Sequence, residues 1–278
     1  MFSEEAPGVF SVASRFVDGK NGVVIGDRIA LAIDGSNYED EGQAMANFIR
    51  GKGFEPNRMM LTHGHGDHIW GGKPLSGGEV FGHHLTPEVM EGQVARAAEK
   101  RKITEDEVRA EMPWPTVTFQ DELWLDLGGK TILGFPTPGH SRDGISLYVV
   151  EDRLLFAGDS VVNSIVAAIG DGDSRILEKS LHKLLTIDIE VLVPGHGDTI
   201  HGKESVKDWL TWQAGYLAGV RERVQKELGA GKDAEEAAVA VDFDTYIGDR
   251  LLVDRNQMPM RHRNTVDKIV EEEMVDRR

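Results

Sequence analysis

The stretch Thr62-His63-Gly64-His65-Gly66-Asp67-His68 decides the fold and the chemistry that we expect of this chain. It brings three of the ten histidines and an aspartate together, with glycine between them. Neutral imidazoles and carboxylates are ligands of zinc and other divalent transition metals. Because residues two apart on an extended segment can point the same way, His63 and His65 can hold one ion. Asp67 and His68 are offset from them and remain to hold a second.

The segments around this stretch alternate between strand and helix patterns. The apolar run 58–61 predicts a buried strand that ends at the motif, and 69–72 predicts the start of a helix. Further strands are predicted at 9–12, 23–25, 29–33, 79–82, 116–119, 122–127, 130–135, 145–150, 154–157 and 191–193. Helices are predicted at 39–50 and after Asp173 or Ser174, the latter with a face of Ile176, Leu177, Leu181, Leu184 and Leu185. Such alternation predicts a layered α/β protein.

The motif resembles that of the metallo-β-lactamase-fold superfamily, which includes hydroxyacylglutathione hydrolases and lactonases. Three later segments resemble the remaining ligand segments of that family, in the same order. They contain His140 in 136–141, Asp159 in 156–160 and His196 in 193–198. The resemblance extends over residues 8 to 200. It implies a four-layer αβ/βα sandwich with metals at one edge of two sheets, followed by extra C-terminal helices.

The resemblance also implies seven ligands for two divalent ions. They are His63, His65 and His140 at the first ion, Asp67, His68 and His196 at the second, and Asp159 as a bridge between both. We expect zinc, although iron or manganese can occupy similar ligands. The chain has no cysteine, so its metal ligands are nitrogen and oxygen atoms.

The reaction implied is hydrolysis of a carboxylic ester, thioester or lactone by a metal-bound hydroxide. Asp67 would orient the nucleophile or pass a proton to the leaving group. The main alternative is a mononuclear iron dioxygenase acting on a persulfide; a phosphodiesterase, a weak promiscuous β-lactamase and a non-enzymatic metal-binding scaffold stay open. Asp159 and the absence of cysteine argue against a true β-lactamase.

Composition limits the partners. The net charge is −16, which disfavours nucleic acids because phosphate binding needs clustered lysine and arginine. No window reaches the ~18 apolar residues of a membrane span, and the acidic start does not resemble a signal peptide. We therefore expect a cytoplasmic protein with a small-molecule substrate and no membrane partner.

The chain divides into a catalytic core, 1–202, and a C-terminal helical segment, 203–278, packed on it. A charged helical insertion, about 86–115, is a candidate lid or dimer contact, and a homodimer stays open. Several residues near the motifs have alternative functional and structural interpretations. His83 and His84 are candidates for the mouth of the site, Asp198 and His201 for orienting a ligand imidazole, and Asp34 for a position near the metals.

Overall fold

The computed structural model describes residues 2–163, 165–169, 171–247, 250 and 257–275. Its first sheet has seven strands in chain order. They are Phe2–Ala6 (β1), Val9–Ala13 (β2), Lys20–Ile25 (β3), Ala30–Ile33 (β4), Arg58–Met60 (β5), Glu79–His83 (β6) and Val117–Phe119 (β7). Pairing is antiparallel from β1 to β4 and parallel from β4 to β7. Strand β1 was not predicted because its central residues are polar.

The second sheet has six strands in the order β13-β12-β11-β10-β9-β8. They are Leu123–Asp126 (β8), Thr131–Pro136 (β9), Ile145–Val149 (β10), Leu154–Phe156 (β11), Val191–Val193 (β12) and Ile200–His201 (β13). Only the β11–β12 pair is parallel among these strands. The two-residue strand β13 is too short to carry a sequence pattern and was not predicted.

Nine α-helices lie in the described part of the chain. They are Glu39–Gly51 (α1), Gly66–Ile69 (α2), Thr86–Arg101 (α3), Glu105–Glu111 (α4), Ser174–Leu184 (α5), Lys203–Gly229 (α6), Ala234–Val239 (α7), Phe243–Tyr246 (α8) and Met258–Val275 (α9). None of these helices combines the length and apolar character needed to cross a membrane.

The alternation of side chains along the strands builds four layers. Leu31 and Ile33 of β4 belong to a buried cluster between the two sheets, whereas Ala30 and Ala32 belong to the cluster under α1, α3 and α4. A third cluster joins the outer face of the second sheet to α5, α6 and α9. The predicted sandwich with extra C-terminal helices is confirmed. The division at residue 202 stays a prediction.

Two predicted helices differ in detail from the structure. The helix after the motif begins at Gly66 rather than Ile69, because His65 remains extended and Asp67 falls in the first turn, where a negative charge favours the helix dipole. Helix α5 begins as predicted, with the Asp173 carboxylate accepting from the amides of its first turn. The expected burial of Ile176 is wrong: it is 43% exposed in that turn.

Candidate metal centre

The predicted ligands all follow strand ends at one edge of the two sheets. The motif follows β5, and His140 lies in the loop between β9 and β10. Asp159 follows β11 and His196 follows β12. Because β11 and β12 are parallel, their carboxyl ends present these two side chains at the same edge. Sequence-distant ligands therefore meet as a consequence of the topology.

The side chains form two separate sets of three, and a third group overlaps both. The sets are His63, His65 and His140, and Asp67, His68 and His196; the overlapping group is His63, His68 and Asp159. In each of the three, the candidate ligand atoms lie within 4.8 Å of one another. The structure thus brings together the residues that sequence reasoning assigned to each ion, and their role in metal binding stays a prediction.

Asp159 lies between the two sets. Its Oδ2 atom is 3.3 Å from Nε2 of His140 and 3.4 Å from Nε2 of His196. Its Oδ1 atom is 3.1 Å from Nε2 of His68. One carboxylate therefore contacts members of both sets, which is the geometry required of a bridging ligand.

Three buried atoms at the centre of the cluster make no hydrogen bond of normal geometry. Nε2 of His63 has no partner, and Nε2 of His68 and Oδ1 of Asp159 contact each other at 3.1 Å. Buried polar atoms are normally paired, so orphaned ones require an explanation such as an ion. Nitrogen and oxygen donors of this kind match divalent transition metals. The residues present therefore fit a metal centre.

The carboxylates and imidazoles of the cluster shift one another's pKa values. Burial opposes charge on Asp159, but the neighbouring imidazoles, His196 foremost, hold the pKa of its carboxyl well below the usual range. Burial likewise opposes charge on His196, but Asp159 and Asp67 outweigh it and raise the pKa of His196 to about 10. Burial, reinforced by the charges of nearby histidines, keeps the pKa of His63 low. The carboxylate of Asp159 is thus ionised at neutral pH.

The ring nitrogen that points away from the cluster is held in each of the five histidines. Partners and distances are Thr62 Oγ1 for His63 (3.1 Å), Asp171 Oδ1 for His65 (2.9 Å), Asp34 Oδ2 for His68 (2.9 Å), the Ala168 carbonyl for His140 (2.8 Å) and the Val17 carbonyl for His196 (2.8 Å). Such contacts orient an imidazole so that its other nitrogen faces a metal.

Three aspartates support the motif. The sequence analysis left the role of Asp34 open and did not identify Asp143 and Asp171. Asp34 is buried, with a left-handed φ of 56°, and accepts from the amide and hydroxyl of Thr62 at 2.7 Å each. Asp143 accepts from the amide of Gly64 at 2.8 Å, and Asp171 contacts His65. Asp34 carried a weak signal as an acidic residue at a strand end; the other two lie in loops without a spacing pattern.

Close packing explains one glycine of the last ligand segment. A Cβ atom at Gly195 would lie 1.9 Å from Oδ1 of Asp159 and 2.8 Å from its amide nitrogen. A side chain there would displace the bridging carboxylate. The glycine before His196 is therefore required by the approach of two strand ends.

Two cavities adjoin the cluster and share His65 and Gln93 in their walls. The smaller, of about 290 Å³, is lined by ligand residues, by apolar side chains such as Phe16 and Ile165, and by Arg261 of α9. The larger, of about 780 Å³, extends along α3. The C-terminal segment therefore contributes a guanidinium to the site, which its helical pattern did not predict.

The remaining candidates lie away from the cluster. The rings of His83 and His84 lie 4.3 Å apart between centroids, tilted by 52°, and line neither cavity. His201 is exposed and pairs with Glu5 at 3.2 Å, and the Asp198 carbonyl accepts from Asn163. The orienting role considered for His201 and Asp198 is therefore wrong: the five imidazoles are held by other residues.

Comparison with known proteins places the chain in a family. A model described as Metallo-beta-lactamase superfamily matches residues 23–196. This chain belongs to the metallo-beta-lactamase superfamily. A hydroxyacylglutathione hydrolase of Bartonella tribocorum is 28% identical over 62% of the chain, and an atrochrysone carboxyl ACP thioesterase of Aspergillus fumigatus is 25% identical over 73%.

The fold also matches solved structures. An inverting sec-alkylsulfatase from Pseudomonas sp. has a TM-score of 0.78 at 16% identity and covers 98% of this chain. The chain spans 60% of the Bartonella protein, 45% of the Aspergillus protein and 50% of the sulfatase. These relatives are named as hydrolases of different substrates, so they do not identify the substrate of this chain.

Proposed function

We propose that this chain is a hydrolase that uses two divalent metal ions, zinc in the first instance, to cleave a carboxylic ester, thioester or lactone. The observation that carries the proposal is the convergence of two three-residue sets on a shared carboxylate, around a buried His63 nitrogen without a hydrogen-bond partner. Relatives named as a hydroxyacylglutathione hydrolase and an ACP thioesterase support a hydrolytic reaction.

Each set would hold one ion. His63, His65 and His140 would hold the first, and Asp67, His68 and His196 the second. Asp159 would contact both through its two oxygens. When bound, such ions act as Lewis acids and lower the pKa of water to about 7.

Asp67 is the residue placed to handle a proton. Its side chain lines the smaller cavity, and its Oδ2 atom lies 3.2 Å from Nε2 of His196. Burial opposes its charge, but the contact with His196 outweighs burial and lowers the pKa of Asp67. An ionised carboxylate facing the cavity can orient an attacking water and receive its proton.

The test measures metal content and hydrolysis together. Protein loaded with zinc, iron or manganese is analysed for metal per chain and assayed with a panel of thioesters, lactones and 4-nitrophenyl esters. About two zinc ions per chain with hydrolysis of any panel member supports the proposal. One iron per chain, with oxygen consumption on a persulfide and no hydrolysis, would replace it by the dioxygenase.

A further inference from the structure

The larger cavity is a separate compartment beside the metal centre. Its volume of about 780 Å³ lies within the range of ligand sites, roughly 300–1,000 Å³. It meets the smaller cavity at His65 and Gln93. Part of its wall is apolar and is formed by Trp70, Val89 and Ala97. A substrate whose reacting group sits at the ligands can therefore extend its remaining part into this compartment.

Four of the charges lining this compartment are neutralised in two pairs. Arg101 pairs with Glu111 at 2.5 Å, and Arg142 pairs with Glu88 at 3.0 Å. The carboxylate of Asp171 accepts from His65, but this imidazole is neutral when it serves as a metal ligand, so Asp171 keeps its negative charge.

Two cations of the compartment remain without an ion pair in the described part of the chain. They are Arg96 and Lys100, one turn apart on α3, and both side chains are exposed. Arg109, in α4, contacts three acidic side chains. Although the chain has a net charge of −16, these two neighbouring cations place positive charge beside the cavity. Glu39 is the remaining acidic lining residue without an ion pair in that same part of the structure.

We propose that this compartment binds the non-reacting end of the substrate, and that this end carries an anionic group held by Arg96 and Lys100. An apolar linker would lie along Trp70, Val89 and Ala97. The inference rests on the proposed hydrolytic function and specifies its substrate class: esters or thioesters with a terminal carboxylate or phosphate. Because the protein as a whole repels anions, these two side chains would determine whether such a substrate is accepted.

The experiment compares three esters that differ only at the remote end. They are 4-nitrophenyl octanoate, the 4-nitrophenyl monoester of octanedioic acid, and 4-nitrophenyl 8-phosphonooxyoctanoate. In the double variant Arg96→Gln/Lys100→Gln we expect kcat/KM for the anionic esters to fall about 10- to 100-fold, mainly through KM, because the anionic end loses its charge-assisted hydrogen bonds. The octanoate ester should change less than about twofold because surface substitutions have small effects.

Two control variants separate charge from general damage. Arg96→Lys keeps the positive charge and should retain most of the preference for anionic esters. Lys179→Gln removes an exposed cation of α5 that does not line the compartment, and it should leave all three esters unchanged. Comparing the carboxylate with the phosphate ester identifies which anion is preferred.

A binding measurement distinguishes failure of this inference from failure of the proposed function. Calorimetric titration compares octanedioate with octanoate, which lacks the second carboxylate, on wild-type protein and on the double variant. Tighter binding of octanedioate that is lost in the double variant supports the compartment even if no ester is hydrolysed. Equal binding of both acids, or an anionic preference unchanged by the double substitution, would overturn it.

Discussion

The metal centre and the C-terminal segment both contain buried histidines, and these differ in what faces their ring nitrogens. In the metal centre, Nε2 of His63 is buried without a partner, and Nε2 of His68 faces a carboxylate oxygen of Asp159 at 3.1 Å. In the C-terminal segment, His262 of α9 is equally buried, but Nδ1 lies 2.8 Å from the Tyr216 hydroxyl and Nε2 lies 3.0 Å from the Val241 carbonyl.

The difference teaches that burial alone does not make a histidine a ligand. Burial lowers the pKa of His262, and its neutral ring completes a network of uncharged groups. At the centre, burial also opposes charge on His68, but Asp159 and Asp34 outweigh it and raise its pKa well above the usual value. The carboxylates around a buried imidazole, and not its burial, thus distinguish the metal centre from His262.

The largest effect is expected from Asp159→Asn. The substitution removes one negative charge that both sets share, so at least one ion should be lost. Since removing an outer partner of a ligand already costs 10- to 100-fold, hydrolysis should fall by more than about 100-fold. Elemental analysis measures the metal content, and an ester assay measures the rate of hydrolysis. Normal metal content and turnover in a folded Asp159→Asn protein would exclude the bridging role.

Asp34→Asn should have the next largest effect. The amide can no longer accept at both oxygens, so either Thr62 or Nδ1 of His68 loses its partner. We expect metal affinity to fall about 10- to 100-fold, measured by competition with a chelator. Asp171→Asn is the matched comparison. Because Asp171 is exposed, metal affinity in this variant should fall by only about 10-fold, the lower limit of that range. An equal loss in both variants would contradict the importance of burial.

His262→Leu should change stability without changing metal content. It leaves the Tyr216 hydroxyl and the Val241 carbonyl unpaired, at a cost of about 1–3 kcal/mol in unfolding free energy. Urea denaturation at a fixed metal concentration gives the value, because bound metal itself stabilises the folded state. Loss of metal from the stable variant would show that His262 is not merely structural.

The smallest effect is a pH dependence carried by His262. Its folded pKa is lowered, so its contribution is complete above the unfolded pKa of about 6.5. As pH falls below that value, the unfolded chain takes up a proton that the folded chain does not, and stability decreases. Wild type should therefore lose more stability than His262→Gln between pH 7.5 and 5.5. Parallel urea midpoints in both proteins would refute this.

The predictability of the fold follows from local patterns. Strands such as 23–25 and 191–193 are apolar runs bounded by turn residues, and α1 has a helical period, so they could be located from sequence. Strand β1 has a polar centre, and β13 has only two residues. Their pairing depends on a neighbouring strand, which no local pattern encodes.

The site likewise has features that local sequence specifies and features that depend on tertiary packing. By itself the sequence determined the superfamily and the seven candidate ligands, because the chemistry of a metal centre requires particular residue types at short, fixed spacings. Only the tertiary structure decided that Asp34, Asp143 and Asp171 support those ligands, that Arg261 of α9 reaches the smaller cavity, and that Arg96 and Lys100 line the larger one. These contacts join distant segments at one sheet edge, where position depends on packing and not on spacing along the chain.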